Sequence, residues 1–153
     1  MPMIAVGAKA PDFTLEDQNG NKVSLSSFKG KKVLLSWHPL AWTSVCTDQM
    51  RALEANKDKF ASLNTVPLGF SVDPAPSKKA WAAALCIKDT ALLADFWPHG
   101  KVAQDYELFL EDKGISGRAN ILIDEEGRVA WVKEYPISQL PDIEEVLRAI
   151  AEH

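Results

Sequence analysis

Two short apolar runs, Lys32-Val-Leu-Leu-Ser-Trp37 and Val66 to Val72, constrain this chain more than any other feature. Such runs, too short for a helix and lacking polar alternation, are expected of strands buried on both faces. His38-Pro39 ends the first, because proline lacks the donor that a strand ladder requires. A helical pattern follows each run. From about Thr43 to Phe60, Val45, Gln49, Met50 and Leu53 recur at three- and four-residue spacing, with Arg51, Glu54, Lys57 and Asp58 on the outer side. After the Asp73-Pro-Ala-Pro76 loop, Ser77 to about Leu85 reads as an alanine-rich helix capped by Ser77.

The flanking segments complete the pattern. Phe13-Thr-Leu15 and Lys22-Val-Ser24 alternate around Asp17–Asn21, a small hairpin in which Asn19-Gly20 is expected to supply positive φ angles. Leu92-Leu93 reads as a short strand and Val102 to Tyr106 as a short helix. Ala119–Ile123 and Arg128–Val132 form a hairpin about Asp124-Glu-Glu-Gly127. Pro141 in the first turn opens a last helix, Asp142 to Glu152, with Ile143, Val146, Leu147 and Ile150 on one face. Strands alternating with helices and closed by an antiparallel hairpin predict an α/β chain with a mixed central sheet flanked by helices. The thioredoxin-like fold has this design. With 153 residues and no repeat or linker, one domain over 1–153 is expected.

Composition narrows the function classes. Apolar residues make up 46% and charged residues 25%, an ordinary globular balance. No apolar run reaches the length of a membrane span, and a net charge of −4 offers no basic footprint for nucleic acid or anionic lipid. The opening Met-Pro-Met-Ile-Ala-Val-Gly lacks a charged region and a long apolar stretch, so no secretory signal is expected and a cytoplasmic location is the default. The two cysteines, Cys46 and Cys86, are too few for a disulfide scaffold, and no C-x-x-C or Cys/His cluster suggests a metal.

Cys46 lies in the first turn of a helix that follows a buried strand, where free N–H groups and the positive end of the helix dipole favour a thiolate. At the reference pKa of ~8.5 a thiol is only roughly 3% ionised at pH 7. Full ionisation therefore raises the reactive fraction by about thirty-fold, or ~2 kcal/mol. A fast nucleophile here needs further help in the transition state. Thr43, on the same turn, has a hydroxyl to offer, and Pro39 shields the pocket from water without demanding a hydrogen bond.

These residues spell Pro39-Leu-Ala-Trp-Thr43-Ser-Val-Cys46, a P-x-x-x-T-x-x-C pattern at a strand-to-helix junction that resembles the signature of the peroxiredoxins. The resemblance extends over nearly the whole chain. It includes Ala10-Pro-Asp-Phe-Thr-Leu15, Val72-Asp73 followed by Trp81, and Gly117-Arg118-Ala119. Leu92-Leu-Ala-Asp-Phe-Trp-Pro-His-Gly100 is similar to the AhpE-type branch of one-cysteine alkyl hydroperoxide reductases. The resemblance implies a thiol peroxidase that reduces hydrogen peroxide or organic hydroperoxides. Cys46 would be the peroxidatic cysteine, oxidised to a sulfenic acid. Thr43 would orient the peroxide, Arg118 would hold the thiolate and stabilise the leaving alkoxide, and Pro39 would limit solvent access. Gln49 matches a position that helps place the arginine.

His38 departs from the family pattern, standing where an aromatic residue is frequent, and Arg51 stands where a resolving cysteine would follow in the same helix. Cys86, expected on the accessible side of its helix, is the remaining candidate for a resolving cysteine. No cofactor is implied. The expected partners are a thioredoxin- or glutaredoxin-like reductant and a second copy of the chain, with Trp42 and Phe96-Trp97 at the dimer contact. Two other readings stand behind this one. A thiol–disulfide oxidoreductase of the same fold would generally need a second cysteine within Cys46-Thr-Asp-Gln49. The other is a non-catalytic interaction domain.

Overall fold

The computed structural model describes residues 3–153. The elements run β1 (Thr14–Glu16), β2 (Lys22–Ser24), a 3-10 turn (Leu25–Phe28), β3 (Lys32–Trp37), α1 (Ser44–Ala55), α2 (Lys57–Ser62), β4 (Thr65–Ser71), α3 (Ala75–Leu85) and β5 (Ala91–Ala94). The chain continues through α4 (Lys101–Asp105), β6 (Phe109–Leu110), β7 (Ile115–Ser116), β8 (Arg118–Ile123), β9 (Val129–Tyr135) and α5 (Ile143–Glu152).

The two apolar runs become the centre of a five-stranded sheet of order β5-β4-β3-β8-β9. β3 pairs in parallel with β4 and antiparallel with β8, so the sheet is mixed, as the alternation of strands and helices predicts. The alternation along β3 divides the core. Val33, Leu35 and Trp37 join a cluster with Phe13, Phe70, Val102 and Tyr106, under the β1–β2 hairpin and α4. Leu34 points to the opposite face, with Met50 and Leu53 of α1, Phe60 of α2, Trp81 of α3 and Val146 and Ile150 of α5. Gly69 of β4 leaves room on that face: a Cβ there would sit 2.5 Å from the Met50 sulfur.

Several boundaries differ from the expectation, each for a local reason. The Thr43–Phe60 helix divides at Asn56, whose side chain donates to the Ala52 carbonyl (2.8 Å) and whose own backbone leaves the helical region before α2 begins. The third helix starts at Ala75 after Pro74, and Ser77 does not cap it; the Ser77 hydroxyl accepts from the Trp42 indole instead (3.2 Å). At the last helix the cap is Asp142, whose carboxylate accepts from the Glu144 N–H (3.0 Å), leaving Pro141 one residue before the cap. In the first hairpin only Gly20 takes a positive φ (79°); the Asp17 carboxylate organises the turn by accepting from the N–H groups of Asn19 and Asn21.

Candidate active site

The site is built where β3 hands over to α1. Strand pairing sets Trp37 opposite Ala119, and the Ser116 hydroxyl donates to the His38 carbonyl (3.2 Å), so the ends of β3 and β8 meet beneath the loop 38–43. The Asp73 carboxylate pins that loop from the end of β4. It accepts from the Ala41 N–H (2.8 Å) and from the Ser71 hydroxyl (2.5 Å). Trp42 takes a positive φ of 72° and turns its ring outward. Thr43 stands at the N-cap of α1, yet its hydroxyl caps nothing; it donates to the Leu40 carbonyl (2.9 Å).

Cys46 follows in the first turn of α1 and is 1% exposed. Arg118, the first residue of β8, is 2% exposed and points inward. Its Nη2 donates to the Cys46 Sγ (3.4 Å) and to the Ile137 carbonyl (2.8 Å), its Nε donates to the same carbonyl (3.1 Å), and its Nη1 donates to the Gln49 side-chain oxygen (2.6 Å). Gln49 lies three residues after Cys46 and therefore shares its helix face. Its amide nitrogen donates to the Ser36 hydroxyl (2.8 Å) and the Trp37 carbonyl (3.1 Å), which leaves the oxygen toward the guanidinium. A planar fork of donors held on three sides cannot swing away from the sulfur.

The structure thus brings Cys46, Arg118 and Gln49 into one hydrogen-bonded group, with buried Pro39 in the loop beside them and Thr43 at the head of the helix. Cys86 is not part of it. It is exposed, carries a free thiol, and ends α3 in the left-handed conformation (φ 56°). The Ile137 carbonyl is a support that the sequence does not mark, since a carbonyl from an irregular segment has no side-chain signature. Ser36 is hidden within an apolar strand, and Asp73 stands in a segment of the family resemblance that assigns it no role.

Two further polar groups lie buried behind the loop. The His38 Nε2 is 3.4 Å from the Lys78 Nζ, and the His38 Nδ1 has no partner among the described residues. Burial, then the positive charges of Lys78 and Arg118, hold the His38 imidazole well below its ordinary value, so the ring is neutral at pH 7. Burial also pushes Lys78 down to about 7, against the attraction of Asp73, Cys46 and Asp95. One signal of Lys78's burial is in the sequence: it precedes Trp81 by three residues and Ala82 by four, on the inner face of α3.

The chain is similar to known proteins over most of its length. A profile of the AhpC/TSA family matches residues 6–132. The alkyl hydroperoxide reductase E proteins of Mycobacterium bovis and Mycobacterium tuberculosis are 40% identical over 132 residues, covering 86% of this chain and 86% of theirs. A peroxiredoxin of Thermoplasma volcanium is 34% identical over 160 residues, covering 98% of this chain and 74% of its own. Among solved structures, the reduced 2-Cys peroxiredoxin of Plasmodium vivax superposes with a TM-score of 0.86 at 32% identity, over 95% of this chain and 80% of that one.

Proposed function

Because the chain belongs to the AhpC/TSA family, the peroxiredoxins, we propose that it is a thiol-dependent peroxidase acting on hydrogen peroxide and organic hydroperoxides through Cys46. The observation that carries this reading is the Arg118 guanidinium donating to the Cys46 sulfur from a buried position. The sulfur lies in the N-terminal turn of α1, with the guanidinium as its hydrogen-bond donor. The thiolate attacks the terminal oxygen of the hydroperoxide; the S–O bond forms as the O–O bond breaks. The leaving alkoxide takes a proton, and Cys46 becomes a sulfenic acid. Arg118, already oriented, stabilises the charge that develops on the departing oxygen. Thr43 gives its hydroxyl hydrogen to Leu40, which leaves the oxygen lone pairs to accept from a hydroperoxide O–H.

An external thiol, of the thioredoxin or glutaredoxin type, completes the cycle through a mixed disulfide. Cys86, exposed and free, is the alternative resolving thiol. We read the chain as one domain over 1–153 that works in the cytoplasm as part of cell redox homeostasis; no helix among the described residues is long and apolar enough to cross a membrane. Trp42, Phe96 and Trp97 are exposed large apolar side chains of the kind that anchor protein contacts, and they support a homodimer.

Stopped-flow tryptophan fluorescence with one equivalent of peroxide tests the reading. The wild type should respond stoichiometrically and Cys46→Ser should not; an equal response from both would end it. Reduction of insulin disulfides without a peroxide response would instead identify a thiol–disulfide oxidoreductase. Non-reducing mass spectrometry of the oxidised protein decides the role of Cys86. A loss of two hydrogens means an internal disulfide, and a gain of one oxygen means a sulfenic acid awaiting a partner.

A further inference from the structure

Lys78 is fully buried, and among the described residues the one hydrogen-bond partner of its side chain is the His38 Nε2 at 3.4 Å. No carboxylate of the described residues forms an ion pair with it within 4.0 Å. A buried ammonium without a counter-ion is expensive, and a methionine would fill a similar volume with no charge to desolvate. Its surroundings give the lysine a use. The face of α3 that carries Lys78 packs on α1: the Trp81 indole donates to the Thr47 hydroxyl (3.3 Å), one residue after Cys46, and Trp81 and Ala82 share a core cluster with Cys46. His38, seated against the Trp81 ring at 5.3 Å, joins Lys78 to Pro39 and the loop over the sulfur.

We propose that Lys78, held on His38, is a positioning residue of the peroxidase reaction: a second buried cation behind Arg118 whose proton is bound while Cys46 is a thiolate and released once Cys46 is a sulfenic acid. This rests on the reading of Cys46 as the attacking thiolate. The charged and titratable groups facing the pair are Cys46 from α1, Arg118 from β8, and the Asp73 and Asp95 carboxylates that follow β4 and β5. Only Cys46 changes its charge in the reaction. A thiolate, a hydroperoxide and the lysine ammonium become a sulfenic acid, an alcohol and a neutral lysine. The sulfur is oxidised, the O–O bond is reduced, and the ammonium proton balances the one that the alkoxide takes up. The thiolate and the ammonium are thus discharged together, so the loss of the negative sulfur does not leave Lys78 as a further unpaired cation beside buried Arg118. Neutral His38 is the acceptor that keeps the ammonium in place.

Coupling of this kind is reciprocal, so it is measurable from both ends. The side-chain carbons next to the lysine nitrogens, followed by NMR in lysine-labelled protein, report the Lys78 titration directly, with Lys78→Met assigning the signal. In the reduced wild type its midpoint should lie about one pH unit above that in Cys46→Ser, where no thiolate can form. Exposed Lys79 should titrate identically in both. In Lys78→Met the pH midpoint for iodoacetamide alkylation of Cys46 should rise by the same amount, and its peroxide rate at pH 7 should fall about three- to ten-fold, with the gap closing above pH 9. Equal Lys78 midpoints in wild type and Cys46→Ser overturn the proposal, and that comparison does not require Lys78→Met to fold. Because the titration uses no peroxide, the two readings fail separately. Equal midpoints with intact peroxide reduction overturn the role of Lys78 alone, whereas coupling without peroxide reduction overturns the peroxidase reading and, with it, any role of Lys78 in that reaction.

Discussion

Gln49 shows how much a single side chain contributes to the site. Its amide is used at both ends, donating to Ser36 and Trp37 and accepting from Arg118. In Gln49→Ala the buried Nη1 of Arg118 loses its partner, which costs about 2 kcal/mol of stability, and the guanidinium turns from the sulfur. The expected outcome is a melting temperature lower by roughly 4–8 °C and a peroxide rate at least about ten-fold lower. A variant with wild-type kinetics would remove Gln49 from the positioning machinery. Thr43→Ser should keep most of the activity and Thr43→Val should lose it, because only the former retains a hydroxyl to tie Leu40 and meet the peroxide; stopped-flow fluorescence distinguishes them. The residue types at positions 39, 43, 46, 49 and 118 were legible because a motif names side chains. The Ile137 carbonyl was not, since it belongs to the backbone of a segment with no periodicity.

At the scale of elements, the placement of α1 depends on its far end as well as its first turn. The Glu54 carboxylate accepts from the N–H groups of Lys88, Asp89 and Thr90 and from the Thr90 hydroxyl, tying α1 to the segment between α3 and β5. Burial works against the charged form, but these hydrogen bonds outweigh it and hold Glu54 at about 2, below its ordinary 4.5. The proton is bound more weakly folded than unfolded, so this contribution is present above about pH 4.5 and is lost as the pH falls toward 2. Glu54→Gln should lower stability at pH 7 by about 1–2 kcal/mol in urea unfolding, and the difference from wild type should shrink between pH 4.5 and 2. A difference independent of pH would contradict the assignment. Periodicity located each of the major helices and strands. It missed the break at Asn56 and the start of α3 at Ala75, because side-chain-to-backbone bonds and proline placement decide where a helix begins and ends.

Across the whole molecule, buried charge and exposed aromatic surface have consequences that reach beyond the site. Lys78 binds its proton more weakly in the folded state, at about 7, than at its ordinary 10.5, so folding stability should rise with pH between about 7 and 10 from this group. Thermal unfolding of Lys78→Met should flatten that rise; an unchanged slope would show that Lys78 does not produce it. The proposed homodimer predicts that the wild type sediments as a dimer and that Trp97→Glu, at a position 81% exposed, sediments as a monomer with its fold intact by circular dichroism; a wild-type monomer would remove that contact. The sequence by itself determined the class of sheet, the strand-to-helix junction that carries Cys46, and the chemistry its motif implies, because these follow from local periodicity and from the identity of a few side chains. Only the tertiary structure decided that Arg118 reaches that sulfur, that a carbonyl from residue 137 holds it there, and that a lysine and a histidine 40 positions apart share the interior behind it. Those contacts join segments far apart along the chain, and pairing of that range is set by strand register and helix packing, which no local pattern records.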